Sequence, residues 1–89
     1  MPYIKKENRE KWKETLKKVK DITNKLDVFE IDGELNFFIT SILKDVYTPK
    51  YFNYNKAIGL LECIKQEYYR KVVSPYEDKK IKENGDLNG

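Results

Sequence analysis

Trp12, Leu16, Val19, Thr23 and Leu26 recur at intervals of four, three, four and three residues, the spacing that lines side chains along one stripe of an α-helix. The pattern predicts a first helix from about Asn8 to Leu26. A second apolar set, Leu35, Phe38, Ile39, Ile42, Leu43 and Val46, makes a wider face and predicts a helix from about Gly33 to Tyr47, with Asp32 as its cap and Pro49 beyond its end. Between the two, Val28–Ile31 has a strand-like composition. A lone strand has nothing to pair with, so the segment reads as an extended connection. After the aromatic link "YTPKYFNYN", the residues Tyr54, Ala57, Ile58, Leu61, Ile64, Tyr68 and Val72 define a third helix, the longest. Pro75 is expected to end it, because the residue before a proline is disfavoured in the helical region.

The last sixteen residues, "SPYEDKKIKENGDLNG", are polar yet open like a helix. Ser74 can cap, Pro75 suits the first helical position and Glu77 stands where a capping-box acid reaches back. A short fourth helix to about Glu83 is expected, with Asn84-Gly85 as its stop. Its only large apolar groups are Tyr76 and Ile81, too few to hold it alone, so it must dock on another helix or another copy of the chain. The fold expected is therefore all-α. Three main helices and a short C-terminal fourth would form a small helical bundle over residues 1–83, with 84–89 a polar tail.

Composition narrows what such a bundle does. At 89 residues the core is small, and chains of this size are often completed by a partner subunit. A homo-oligomer is expected. Cys63 is the single cysteine and histidine is absent, so no internal disulfide can form and a structural zinc site is effectively excluded. The longest apolar cluster, "NFFITSIL", is too short to cross a bilayer, and the start lacks the apolar block of a signal peptide. A cytoplasmic location in a bacterial host is the expectation. A Pro2 amine freed by loss of Met1 would be a candidate base only if a strand led it into a sheet, and none is predicted. No nucleophile has an evident base, and Cys63 sits beside the apolar stripe where a buried thiol is expected. The pattern points away from an enzyme and calls for no cofactor or metal.

The segments "MPYIKKENR", "GELNFFIT", "IGLLECIKQEYYRKV" and "SPYEDKKIKENGD" together resemble a family of small uncharacterised proteins of bacteria and their phages. That family begins Met-Pro-Tyr-Ile, carries Gly-Glu-Leu-Asn before a helix and ends in a Pro-Tyr-Glu-Asp-Lys-Lys-Ile motif followed by Glu-Asn-Gly-Asp. The likeness covers nearly the whole chain and is weakest up to about residue 30. It implies a phage or mobile-element context, in which small helical oligomers often act as inhibitors or as sponges for defence signals.

Four constellations are candidates for binding. Lys6, Arg9, Lys13, Lys17 and Lys20 share a helical stripe and could meet phosphates, although Glu10 and Glu14 interrupt it and a solvated face is the plainer reading. Tyr47, Tyr51, Phe52, Tyr54, Tyr68 and Tyr69, near Lys50, Lys56 and Arg70, could stack a base and clamp its phosphate, or simply plug the end of a bundle. Asn36 borders an apolar face and would need a polar partner if buried. The Tyr76–Lys80 segment suits a clasp on a neighbouring subunit, a lid over a ligand, or only a frayed last helix. The ligand-binding set expected is Arg9, Asn36, Tyr51, Tyr54, Lys56, Tyr69, Arg70 and Tyr76. It would serve a non-catalytic phage or mobile-element protein sequestering a nucleotide-derived signal, such as a cyclic nucleotide or an ADP-ribose derivative, between subunits. The alternatives are a protein–protein inhibitor or regulator with no small ligand and, less favoured, a nucleic-acid-binding accessory protein.

Overall fold

The computed structural model describes residues 4–88. The Pro2 amine and the Met-Pro-Tyr start lie outside them. The chain divides at Pro49 into two units, residues 1–49 and 50–89, each treated by itself below. Among the described residues every regular element is helical and there is no strand.

The first unit opens with two single 3₁₀ turns, Lys6–Asn8 and Glu10–Trp12, before α1 begins at Lys13 and runs to Thr23. The α-helix thus starts about a turn later than the apolar spacing predicts. Lys5, Lys6, Arg9 and Lys11 crowd the end where a helix dipole is positive, and the tighter i→i+3 bonds, Arg9 N–H to Lys6 O at 3.1 Å and Trp12 N–H to Arg9 O at 3.0 Å, carry the chain instead. At the other end, the Thr23 hydroxyl donates back to the carbonyls of Val19 and Lys20, at 2.9 and 3.1 Å. This local bond competes with helix continuation, and the chain leaves through 3₁₀-type bonds at Lys25 and Leu26.

The link to the next helix corrects two expectations. Val28–Glu30 is a turn, not an extended connection, and α2 spans Ile31–Val46. The cap is Asp27. Its carboxylate accepts from the backbone N–H groups of Phe29 at 2.9 Å and Glu30 at 3.1 Å, while Asp32 lies within the first turn of the helix. "DVFE" has the Asp-x-x-Glu spacing of a capping box, the signal by which this start could have been found. Helix α2 ends where predicted, with Tyr47 extended (φ −96°, ψ 107°) two residues before Pro49.

The second unit is one unbroken helical run. Helix α3 spans Tyr51–Tyr68, a π turn follows over Tyr69–Val73, and α-helix resumes over Ser74–Asn84. Pro75 therefore does not end α3, and Ser74 is no cap: its backbone is helical (φ −61°, ψ −46°) and its N–H donates to the Tyr69 carbonyl, five residues back. Inside a regular α-helix, a proline ring clashes with the carbonyl four residues earlier. A widened turn just upstream moves that carbonyl aside, so the chain passes the proline with a local bulge and no break. The run stops at Gly85, whose φ of 88° is open to glycine without strain, and whose N–H closes on the Ile81 carbonyl at 2.8 Å.

None of the described residues is buried. In the first unit Leu35 and Leu43 are half-covered, while Phe37 is 76% exposed. In the second unit Ile58 is 67% exposed, and even Leu61, at the centre of the apolar stripe, keeps 36% of its surface. Cys63, expected to be buried, is exposed as well. It lies on the side of α3 away from Leu61.

Candidate functional site

Six of the eight expected ligand-binding residues ride on the C-terminal helical run. Tyr51, Tyr54 and Lys56 occupy its first two turns, all exposed. The Lys56 ammonium stands 5.6 Å from the centre of the Phe52 ring, a cation–π contact that is weak at a wet surface. Phe52 is not in the expected set. Its position four residues before Lys56, one helical turn away, is the signal that would have included it.

Tyr69 and Arg70 sit in the π turn. In an uninterrupted α-helix, residues eight apart diverge by about 80° around the axis. The wider turn removes much of that divergence and brings Tyr69 and Glu77 onto one side. The Tyr69 hydroxyl donates to the Glu77 carboxylate at 2.7 Å. Glu77 is thus a partner for the phenol, and not the capping-box acid its spacing from Ser74 implied. The bond, together with the nearby negative charge, raises the Tyr69 pKa above its ordinary value. Arg70 holds both oxygens of Glu67 at 3.0 and 3.1 Å through one guanidinium nitrogen. Tyr76 lies one turn beyond the bulge, with the Lys80 ammonium 5.6 Å from its ring, and Lys80 is paired in turn with Glu83 at 3.2 Å.

Arg9 and Asn36 belong to the first unit. The Arg9 guanidinium donates from Nε to the Ile4 carbonyl at 3.0 Å. Asn36 is exposed on α2, and its side-chain oxygen accepts from the Thr40 hydroxyl at 3.2 Å. The polar partner that burial would have required is present one turn away, but the burial is not. Along the basic stripe, Lys13 pairs with Glu10 at 2.8 Å.

These positions do not converge within either unit. From Tyr51 to Tyr76 the helical rise alone is about 37 Å. Among the described residues, concavities lie within each unit. One of about 490 Å³ wraps the C-terminal end around Tyr76, Glu77, Ile81, Gly85 and Leu87. Another, about 200 Å³, lies between Val19, Ile22 and Leu26 on the α1 side and Leu35, Phe37 and Phe38 of α2. A third, about 650 Å³ and open, follows α2 past Asp32, Asn36, Thr40 and Lys44. Of the expected residues, only Tyr76 lines the first and only Asn36 the third. Among the described residues, no three His, Cys, Asp or Glu side chains gather as metal ligands would, and no helix is long and apolar enough to cross a membrane.

A family model described as a domain of unknown function, DUF6899, matches residues 1–87. The chain belongs to that family. No curated protein and no solved structure matches it.

Proposed function

We propose that this is a non-catalytic binding protein of phage or mobile-element origin that works as a homo-oligomer and holds a nucleotide-derived signal between its subunits. The observation that carries the proposal is that both units display apolar groups on more than one side of a helix. On α3, Tyr54, Ile58, Leu61 and Tyr68 face one way, while Phe52, Leu60 and Cys63 face others, all of them exposed. Apolar groups on two sides of a helix leave two surfaces for neighbours to cover. A single neighbouring helix pair can cover one side of it, so the second side calls for another copy. Tyrosines for stacking a base, with Lys56 and Arg70 for its phosphates, are spread too far along one helix to meet on a single ligand. Copies set side by side bring such groups together from different chains. The C-terminal segment around Tyr76 would then close the site.

A second reading is an inhibitor that covers its apolar faces with a host protein and takes no small ligand. It is favoured by the absence, among the described residues, of a cavity that gathers the expected ligand set. Native mass spectrometry of protein purified from its host separates the two. The sponge reading expects one oligomeric mass carrying a retained small molecule, and a melting temperature that climbs by several degrees with a micromolar cyclic nucleotide or ADP-ribose derivative. A host protein in the complex, with no shift across that panel, would establish the inhibitor. A lone monomer with no ligand would refute both.

A further inference from the structure

Charge in the first unit is segregated by helix. Residues 4–25 hold nine basic side chains against four acidic ones, and residues 27–47 hold five acidic against one basic. Such opposite blocks on adjoining helices would be expected to pair. Yet the ion pair found in this unit, Lys13–Glu10, is internal to the basic block, and among the described residues no ion pair joins the two blocks. By helical phase, Lys13, Lys17 and Lys20 flank the Leu16 edge of the α1 apolar stripe. Glu30, Glu34 and Asp45 flank the Phe38 edge of α2. Beside the acidic flank lies the mainly apolar cleft of about 200 Å³, which Glu34 itself helps to line together with the exposed Ile22 and Phe37.

We infer that this face is a self-complementary interface, on which the basic flank of α1 from one copy lies along the acidic flank of α2 from a second copy, and the reverse. Two-fold pairing makes each contact twice, since residue i meets j and j meets i. It neutralises both blocks and covers the apolar cleft in one step. The alternative occupant, the C-terminal unit of the same chain, lacks the matching charge: residues 50–88 intermix eight basic with six acidic side chains and pair them locally, as in Lys65–Glu62, Arg70–Glu67 and Lys80–Glu83. Segregated charge selects a partner, and intermixed charge does not. The inference rests on the homo-oligomer reading above and specifies one of its interfaces.

Charge reversal in the full chain tests it. One variant carries Lys13→Glu, Lys17→Glu and Lys20→Glu; the other carries Glu30→Lys, Glu34→Lys and Asp45→Lys. Sedimentation equilibrium at low salt should show each variant alone associating at least about tenfold more weakly than the wild type, because like charges now face each other. An equimolar mixture should regain wild-type association, because both flanks are again opposed in sign. The wild-type interface itself should weaken between 0.05 and 1 M salt. Recovery in the mixture also shows that neither variant failed merely to fold. If each variant keeps wild-type association, or the mixture fails to recover it, this pairing is wrong while the homo-oligomer reading stands. If the wild type is monomeric at every concentration, both fall.

Discussion

The two units handle charge in opposite ways. Residues 4–25 collect cations and residues 27–47 anions, with no ion pair between the two blocks among the described residues. Residues 50–88 intersperse both signs and pair them along one helical run, three residues apart. Local pairs of that kind stabilise a helix by a few tenths of a kcal/mol each, about 0.2–0.5, and ask nothing of a partner. Segregated blocks contribute only when something of complementary sign is brought to them. The apolar groups divide differently, since both units leave them exposed. The second unit can be a helix by its own chemistry but not a buried one. The first carries, in its charge, information about what should cover it.

The largest effect is expected on the C-terminal run. If α3 is covered by another copy, Leu61→Asp buries a carboxylate in an apolar contact and should cost about 3 kcal/mol or more, with oligomer mass and helical circular dichroism falling together. A cost within about 0.5 kcal/mol, the ordinary range for a surface substitution, would mean that the stripe faces water in solution.

A smaller effect is expected at the start of α2. Asp27→Ala removes the carboxylate that accepts from Phe29 and Glu30 and should destabilise the first unit by about 1 kcal/mol, read by chemical denaturation. Asp32→Ala should cost less, since Asp32 caps nothing. The reverse ranking would make Asp32, and not the Asp27 turn, the carboxylate that supports the start of α2.

The smallest effect lies at the bulge. The Glu77 hydrogen bond and charge raise the Tyr69 pKa in the folded chain. The neutral phenol is thus favoured by folding: the contribution is fully present below the ordinary tyrosine pKa and is lost as pH rises through the elevated one. Glu77→Gln should move the Tyr69 ultraviolet titration back toward the ordinary value. An unchanged titration would show that the 2.7 Å bond does not persist in solution.

Much of the helical layout was legible from periodicity. The apolar spacings located α2 and α3 to within a few residues, and Pro49 and Gly85 marked real ends, because helix-breaking by these residue types is a local property of the backbone. Pro75 misled because its effect depends on the turn before it: a π turn at Tyr69–Val73 lets the helix pass, and no local pattern announces that turn. Asp32 misled because nearness to the apolar run suggested a cap there, whereas the helix starts before it and the turn leading in is held by Asp27, whose spacing to Glu30 is that of a capping box. The candidate site was less legible. Residue type nominated the tyrosines, Lys56 and Arg70, but which carboxylate meets which partner depends on the phase of the helix, and the bulge reset that phase for Glu77.

By itself, then, the order of residues determined that this chain is helical, where its long helices lie and that charge is sorted in one half and mixed in the other. Those properties follow from side-chain volume, backbone freedom and valence, which act over a turn or two. Only the folded chain decided that Ser74–Asn84 continues α3 through a bulge, that Glu77 serves a phenol, and that the apolar stripes stay open in both units. These outcomes depend on groups that meet across a turn or not at all, and neighbours in space are chosen by the whole backbone path.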